Sequence, residues 1–254
     1  MSRSKKLEVS NRTLLSNASI NPSLKFRIEE AYKSIRTNIM LSIMEEGCKT
    51  IVVSSPSPSE GKTTTTINLA ISFAQADQRV LLIDCDLRKP KIHHYFDLSN
   101  APGLTNYLSD MVKTSGHKID LYSIIHKTNQ PNLSVLCTGP IPPNPAETLS
   151  SKPMAEFLKS VSKDYDYIII DTPPINVVSD ALPVIRESSG IVLVVRSRSS
   201  THPEIQKAID NLKFIDAKIL GFVLNFTDSK SNSYSRYKYG YGYGYGYGYD
   251  AASD

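Results

Sequence analysis

Short runs of aliphatic residues recur along the chain, and they limit its possible folds more than any other feature. The runs are KTIVVSS (49–55), RVLLIDCD (79–86), LSVLC (133–137), YDYIIID (165–171), GIVLVVR (190–196) and AKILGFVLN (217–225). Segments of helical character lie between them, at about 62–76, 151–163, 179–188 and 203–215. Near-continuous aliphatic strands are typical of parallel sheets, whose strands are buried on both faces beneath crossover helices. The sequence therefore predicts an α/β fold with a mostly parallel sheet and helices on both faces.

The regions outside these runs predict one domain with two flexible ends. Residues 1–24 are polar and without periodicity, which indicates a flexible arm. A long amphipathic helix is predicted from Leu24 to Met44, after the start signal Asn21-Pro22-Ser23. Its apolar positions are Phe26, Ile28, Tyr32, Ile35, Ile39 and Ile43. We expect a single domain over residues 25–227 and a disordered tail over residues 228–254.

Composition excludes several classes of protein. The formal charge is +4, from 29 basic and 25 acidic residues, and this excess is too small to indicate a nucleic-acid partner. The three cysteines are far apart and form no C-x-x-C pair, so neither a disulfide framework nor a zinc site is predicted. No window reaches the roughly 18 apolar residues of a membrane span. We expect a cytoplasmic protein that reaches a membrane only through a partner or through surface charge.

The stretch SSPSPSEGKTTTT (54–66) follows a predicted strand and opens a predicted helix, which is the context of a phosphate-binding loop. Gly61 lets the backbone curl so that its N–H groups meet phosphate, Lys62 neutralises phosphate charge, and the hydroxyl of Thr63 reaches Mg²⁺. Pro56 stands where the pattern has its first glycine, and this position serves the turn more than the chemistry. The alternative is a strand-to-helix loop with a capping role. The predicted nucleotide-binding residues of the loop are Ser57, Pro58, Ser59, Glu60, Gly61, Lys62, Thr63 and Thr64.

Three aspartates stand at the carboxyl ends of predicted strands, where ligands bind in open α/β sheets. Asp84 and Asp86 end one strand and Asp171 ends another. Together with Thr63 they are the predicted metal ligands, and together with Lys62 they are the predicted catalytic residues. One carboxylate is expected to accept a proton from an attacking hydroxyl. A single aspartate at such a position is more often a turn or cap residue, and the sequence does not divide metal binding from base catalysis between Asp84 and Asp86.

The segment YKYGYGYGYGYGYD (237–250) places seven tyrosines at every second position, with mostly glycine between them. Period two is the spacing of strand faces, but five glycines remove the side chains that a second face needs. A core strand is therefore not expected. The tyrosines are Tyr237, Tyr239, Tyr241, Tyr243, Tyr245, Tyr247 and Tyr249. They are either exposed reactive groups or part of a low-complexity tail that associates through aromatic contacts.

With its phosphate loop, LLIDCDLRKP, IIIDTPPI and GPIPPNPAETLSS (139–151), the chain resembles the bacterial tyrosine kinases, the BY-kinase family that regulates capsular and exopolysaccharide synthesis. The resemblance runs from about Glu29 to Asn225 and into the tail. It implies a P-loop fold, Mg²⁺ and ATP, and autophosphorylation in trans of the C-terminal tyrosines. It further implies a transmembrane adaptor that activates the kinase at the inner face of the membrane, a tyrosine phosphatase and possible other protein substrates.

The same resemblance bears on assembly and on base recognition. A Glu-x-x-Arg-x-x-Arg motif joins subunits of the family into a ring, and Glu30, Lys33 and Arg36 occupy its positions. Lys33 departs from the motif, because lysine lacks the planar fork of arginine. The alternative for these residues is a solvated helix face. Related P-loop proteins place a base-reading residue at the position of Asn225, whose amide can pair with adenine, although strand-end asparagines also cap turns.

Two other functions remain open from the sequence. A partitioning or division-site ATPase of the same superfamily is one, but such proteins carry an additional lysine where this chain has Ser57. The other is a non-catalytic adaptor that binds nucleotide only in order to assemble, for which Pro56 leaves room. The absent lysine and the tyrosine tail favour the kinase.

Overall fold

The computed structural model describes residues 21–113 and 119–227. Its helices are α1 (Pro22–Ser42), α2 (Lys62–Ala74), α3 (Ile92–Phe96), α4 (Leu104–Val112), α5 (Pro145–Leu149), α6 (Lys152–Val161), α7 (Leu182–Arg186) and α8 (His202–Phe214). Its strands are β1 (Lys49–Ser54), β2 (Val80–Asp84), β3 (Ile125–Lys127), β4 (Leu133–Leu136), β5 (Tyr167–Asp171), β6 (Gly190–Arg196) and β7 (Ile219–Asn225). A short 3₁₀ turn covers Leu121–Ser123.

The strands form a single seven-stranded sheet in the order β3-β4-β2-β5-β1-β6-β7. All neighbours are parallel except β3 and β4, which are antiparallel. In this register Asp84 of β2 lies beside Asp171 of β5, and Val53 of β1 lies on the other side of Asp171. The loops that follow β1, β2 and β5 therefore meet at one edge of the sheet, where its parallel strands end.

Alternate residues of the central strands supply two separate hydrophobic layers. On one face, α1 and α2 pack over a cluster that includes Val80 and Leu82. On the other face, α4, α6 and α7 pack over a cluster that includes Leu81 and Ile83. Since side chains of a strand point alternately to opposite faces, a continuous aliphatic run fills both layers at once. The predicted fold class is confirmed.

The sequence did not predict four of the smaller elements. The edge strand β3 pairs antiparallel with β4 and has only three residues, too few to show a pattern. Helices α3, α4 and α5 have five, nine and five residues, and they lie between the aliphatic runs. The helix predicted at 179–188 is reduced to α7, of five residues. Short elements carry little periodicity, so their place is set by the sheet to which they pack.

The first helix begins at Pro22, so the last three residues of the predicted arm are helical. Asn21 caps the helix by accepting a hydrogen bond from the backbone N–H of Ser23 at 3.0 Å. Ile39 and Ile43 of the predicted apolar face are buried, but Phe26 is 63% exposed because it lies near the free end of the helix. None of the helices within the described residues combines the length and the apolar character that a membrane crossing requires.

The flexible character predicted for residues 1–20 and for the tail stays a prediction. Residues 1–20 and 228–254 lie outside the described residues, and with them the seven tyrosines of 237–249.

Candidate active site

The loop between β1 and α2 has the form of a phosphate-binding loop, with Pro56 in place of its first glycine. Gly61 precedes the helix in the left-handed conformation, with φ at 86°. The first helical amides of α2 follow it, and a helix N-terminus favours anions through its unpaired N–H groups. The backbone carbonyls of Ser55 and Pro56 accept hydrogen bonds from Ile175 and Asn176, which follow β5. Pro56 is thus compatible with the loop, because the segment that follows β5 in the same chain holds that end of the loop.

Lys62 lies between two carboxylates at the start of α2. Its Nζ is 2.8 Å from Oδ2 of Asp86 and 3.6 Å from Oδ2 of Asp171. The hydroxyl of Thr63 donates to the same Oδ2 of Asp171 at 2.6 Å, and the hydroxyl of Thr66 donates to Oδ1 at 3.1 Å. Four of the predicted site residues therefore form one connected cluster of alternating charge.

Asp84 belongs to this edge of the sheet, but its carboxylate is bound elsewhere. Its Oδ2 accepts hydrogen bonds from the backbone N–H groups of Lys91 and Ile92, both at 2.9 Å, at the start of α3. Its Oδ1 accepts one from the N–H of Asp86 at 3.2 Å. The side chain is fully buried. Asp84 therefore shapes the loop that carries Asp86.

Burial and charge shift the acid–base behaviour of the cluster. Burial lowers the pKa of Lys62, but the negative charges of Asp171 and Asp86 outweigh it and hold that pKa above its ordinary value. Burial raises the pKa of Asp171, against the opposing effect of Lys62. Burial and the nearby charge of Asp171 raise the pKa of Asp84 to about 7. Lys62 is consequently a permanent cation at neutral pH, as a phosphate ligand must be.

Glu60 joins the phosphate loop to the turn after β6. Its side chain is buried, and its two carboxylate oxygens accept hydrogen bonds from the N–H of Ser57, at 3.0 Å, and from the hydroxyl of Ser200. The hydroxyl of Ser57 donates to Glu204 of α8 at 3.2 Å. Ser57 and Glu60 therefore act on the shape of the loop, and the amide of Ser57 is directed to a side chain of the protein.

Asn225 lies directly over the loop at the end of β7. Its side-chain Nδ2 donates to the backbone carbonyl of Glu60 at 3.0 Å, and its Oδ1 accepts from the N–H of Phe226 at 2.9 Å. A Cβ on Gly61 would lie 2.1 Å from this Nδ2. The contacts of Asn225 fit a clamp on the phosphate loop, and base recognition by its amide stays a prediction.

A cavity of about 580 Å³ opens in front of the loop. Seven of the predicted nucleotide-binding residues line it, namely Pro58, Ser59, Gly61, Lys62, Thr63, Thr64 and Asn225. Asp86 lines it too, whereas Asp84 and Asp171 do not. A larger cavity, of about 1000 Å³, lies between α6 and α7 and contains none of the predicted site residues. The chemistry of the loop, rather than cavity size, identifies the smaller one as the candidate site.

The predicted metal ligands do not form a ready cluster. Over residues 21–113 and 119–227, no group of three or more carboxylate, histidine or cysteine side chains is placed to hold a metal ion. The reason is the orientation of Asp84 towards backbone amides, described above. Thr63, Asp86 and Asp171 remain together, and oxygen ligands of this kind suit Mg²⁺, which is usually bound by one or two carboxylates together with substrate phosphates.

The residues predicted to join subunits lie on α1, away from the loop. Lys33 is 2.8 Å from Glu30 in an exposed ion pair on the same helix. Arg36 donates from Nη1 to the backbone carbonyl of Ser72 in α2 at 2.5 Å. Within this chain Arg36 therefore fastens α1 to α2, and a contact of the three residues with another subunit stays a prediction.

Sequence reasoning did not single out three residues beside the loop: Ser200, Arg196 and Phe226. Ser200 binds Glu60, and Arg196 donates to the carbonyl of Ser59 at 3.4 Å. The guanidinium carbon of Arg196 lies 4.3 Å from the ring centre of Phe226. Their only sequence signal is their place at or just after the ends of β6 and β7, at the strand ends where ligands bind.

Replacing Gly61 with alanine is expected to lower nucleotide affinity and thermal stability. The left-handed conformation costs an alanine roughly 1–2 kcal/mol, and the new Cβ would displace the amide of Asn225. Gly47 offers a matched control, since it has φ of 79° and no atom within 4 Å of an added Cβ. Melting and ADP titration of Gly61→Ala and Gly47→Ala separate the two effects. Equal losses in both variants would contradict the clamp.

Comparison with known proteins identifies relatives of this chain. A family model described as ParA, NUBPL iron-transfer P-loop NTPase, matches residues 48–251. Tyrosine-protein kinase YwqD of Bacillus subtilis (strain 168) is 42% identical over 196 residues, which are 77% of this chain and 80% of that protein. Putative tyrosine-protein kinase CapB of Staphylococcus aureus is 36% identical over 222 residues, 87% of this chain and 94% of CapB.

A solved structure is similar to this chain in both fold and sequence. The kinase domain of Escherichia coli tyrosine kinase ETK superimposes with a TM-score of 0.73 at 32% identity, over 87% of this chain and 80% of that one.

Proposed function

Because the chain belongs to the bacterial tyrosine kinases, an enzyme family of capsule and exopolysaccharide synthesis, we propose that it transfers the γ-phosphoryl group of ATP to its own C-terminal tyrosines in trans. The observation that carries this proposal is the cluster of Lys62, Asp86 and Asp171 at the N-terminus of α2. It sets a buried cation and two carboxylates beside helix amides that favour phosphate. The curated relatives described above are named tyrosine-protein kinases, which favours the kinase over the two alternatives from the sequence, an ATPase switch and a non-catalytic adaptor.

Lys62 and the loop backbone bind the phosphates in this proposal. The ammonium of Lys62 exchanges its contact with Asp86 for a phosphate oxygen, because a bound phosphate offers more negative charge than one carboxylate. Thr63 and Asp171, already hydrogen-bonded to each other, would hold Mg²⁺, which leaves Asp86 for the attacking tyrosine. When bound, Mg²⁺ neutralises the charge that develops on the phosphate oxygens. Asp84 keeps the loop of Asp86 in place.

We assign Asp86 as the group that accepts the proton of the attacking tyrosine. Once Lys62 has moved to phosphate, one oxygen of Asp86 is released, while Oδ1 still accepts the N–H of Lys89 at 3.1 Å. The phenol oxygen attacks the γ-phosphorus, the bond from that phosphorus to the ADP oxygen breaks, and the phenol proton passes to Asp86. The products are ADP and phosphotyrosine, and the proton then returns to solvent.

The acceptors are the tyrosines at 237–249, which lie outside the described residues. Each phosphate adds about −1.5 to −2 charges, so a phosphorylated tail repels its neighbours and favours disassembly. We further propose a ring of subunits joined through Glu30, Lys33 and Arg36, which brings one chain's tail to the next chain's site. A transmembrane adaptor that activates the kinase holds it at the inner face of the membrane, and a tyrosine phosphatase reverses the reaction.

Mixing two chains that cannot phosphorylate their own tails is expected to produce tail phosphotyrosine if transfer occurs in trans. One chain carries Lys62→Met with an intact tail, and the other carries an intact site with Tyr234 and the seven tyrosines of 237–249 all changed to phenylalanine. With Mg²⁺ and ATP, we expect phosphotyrosine on the tail of the Lys62→Met chain only, because that chain alone retains acceptors. Mass spectrometry of the tail peptide measures it.

Each form incubated alone is the control, and neither is expected to acquire phosphotyrosine in its tail. Wild-type tail phosphorylation without transfer in the mixture would contradict the trans reaction but keep the kinase. Absence of tail phosphotyrosine in the wild type would overturn the proposed activity.

A further inference from the structure

Phe226 takes an unusual position immediately after β7. Its φ is 56°, in the left-handed region that bulky residues rarely adopt. The turn is held by the hydrogen bond from its N–H to Oδ1 of Asn225. It brings the ring against the phosphate loop, where a ring carbon would lie 3.2 Å from a Cβ on Gly61. The backbone is therefore strained in order to set an aromatic ring at the candidate site.

The ring is held from one side and open on another. The guanidinium of Arg196 lies 4.3 Å from the ring centre, and the same side chain reaches the carbonyl of Ser59 in the loop. Arg196 thus links the ring to the phosphate loop through a cation–π contact. Phe226 is nevertheless 48% exposed, and it lines the 580 Å³ cavity.

The conformation and the half exposure of Phe226 contribute little to the stability of the fold. The left-handed conformation is unfavourable for a phenylalanine, and its half-exposed ring gains only part of the stabilisation that full burial would give. Strained residues at a cavity are typical of ligand sites, where the bound ligand uses the conformation that the protein holds ready. A flat apolar ligand in the cavity would cover the open part of the ring.

We propose that Phe226 is the stacking surface for the nucleotide base, ordered for that purpose by Arg196. This inference rests on the proposed nucleotide site, and it assigns the base to a residue that the phosphate loop pattern does not contain. Base-to-aromatic stacking uses the π face that every base has. Phe226 therefore contributes affinity for the base, whereas Lys62 and the loop amides contribute affinity for phosphate.

Paired ligands with and without a base test the assignment. We expect Phe226→Ala to weaken binding of Mg²⁺·ADP by about 10-fold or more, since loss of a stacking ring costs roughly 1–3 kcal/mol per base. Binding of Mg²⁺·pyrophosphate should change less than about 2-fold, because it has no base to lose. Phe226→Tyr should bind both ligands as the wild type does. Isothermal titration calorimetry measures all of these.

Phe222 of β7 provides a matched control. It is 49% exposed, almost the same as Phe226, and it does not line the cavity. Phe222→Ala should leave both affinities unchanged. Equal weakening of ADP and pyrophosphate by Phe226→Ala, or no weakening of either, would overturn the stacking assignment and leave the nucleotide site standing. Failure of the wild type to bind either ligand would instead overturn the nucleotide site, and the inference with it.

Discussion

Replacing Lys62 with methionine is expected to lower the rate of tail phosphorylation by at least about 100-fold, the usual loss when one preorganised group that stabilises transition-state charge is removed. Lys62 is the one ammonium held between Asp86 and Asp171 in the described part of the chain. Methionine is unbranched like lysine and one atom shorter, and it removes the charge. Phosphotyrosine formation over time, measured by quantitative mass spectrometry with Mg²⁺ and ATP, gives the ratio of rates.

Two controls separate charge at the site from folding and from net charge. Lys62→Met leaves two carboxylates without their cation, which by itself destabilises a buried pair, so thermal melting is measured in parallel. Lys62→Arg keeps the charge and is expected to fold, yet to remain slow because its planar fork does not match the ammonium position. Lys207→Met removes an exposed lysine of α8 and should keep the wild-type rate. A Lys62→Met variant with an unchanged rate would contradict the site.

Asp84→Ala is expected mainly to lower stability, whereas Asp86→Ala is expected mainly to lower the phosphorylation rate. Asp84→Ala removes the acceptor of three backbone N–H groups in a fully buried position. Each buried donor left unpaired costs about 1–3 kcal/mol, so we expect at least about 2 kcal/mol less stability, or a melting temperature lower by about 4–8 °C. Asp86→Ala should lower the phosphorylation rate about 100-fold or more, because it removes the proton acceptor, and it should lower the melting temperature less than Asp84→Ala, because Asp86 accepts one backbone N–H from its side chain and Asp84 accepts three.

Asparagine at each position separates the positioning role of Asp84 from the proton-accepting role of Asp86. Asp84→Asn retains an acceptor oxygen for the N–H groups of Lys91 and Ile92, so it should recover most of the stability and most of the rate. Asp86→Asn keeps the size of the side chain but cannot take a proton, so it should stay slow. A stable Asp84→Asn protein that has lost its activity would show that Asp84 acts on the reaction directly. Our assignment of the two aspartates would then be wrong.

The fold and the position of the loop were predictable because their signals are local. Each strand announces itself through consecutive aliphatic residues, since a buried parallel strand needs apolar side chains on both faces. The phosphate loop is likewise a contiguous stretch whose residues act through their own backbone. That Gly61, Lys62 and Thr63 reach one cavity beside Asp86 follows from this strand-loop-helix unit and from the common edge of a parallel sheet.

The sequence could not predict how the three aspartates divide. Asp84 and Asp86 are two positions apart and read alike, yet one faces the amides that open α3 and the other faces Lys62. The short helix α3 has no pattern of its own, so the donors for Asp84 exist only once the sheet has formed. The three strand-end carboxylates therefore do not converge on one point, as the predicted metal site had assumed.

From the sequence alone, this protein is an α/β chain with a phosphate loop and acidic strand ends, because those features depend on neighbours in the chain. Only the tertiary structure decided that Asn225 clamps the loop and that Phe226 faces its cavity. The contact from Asn225 to Glu60 joins residues 165 positions apart, and that from Ser200 to Glu60 joins residues 140 apart. Contacts of this kind depend on which strands become neighbours in the sheet, and no local pattern of residues carries that information.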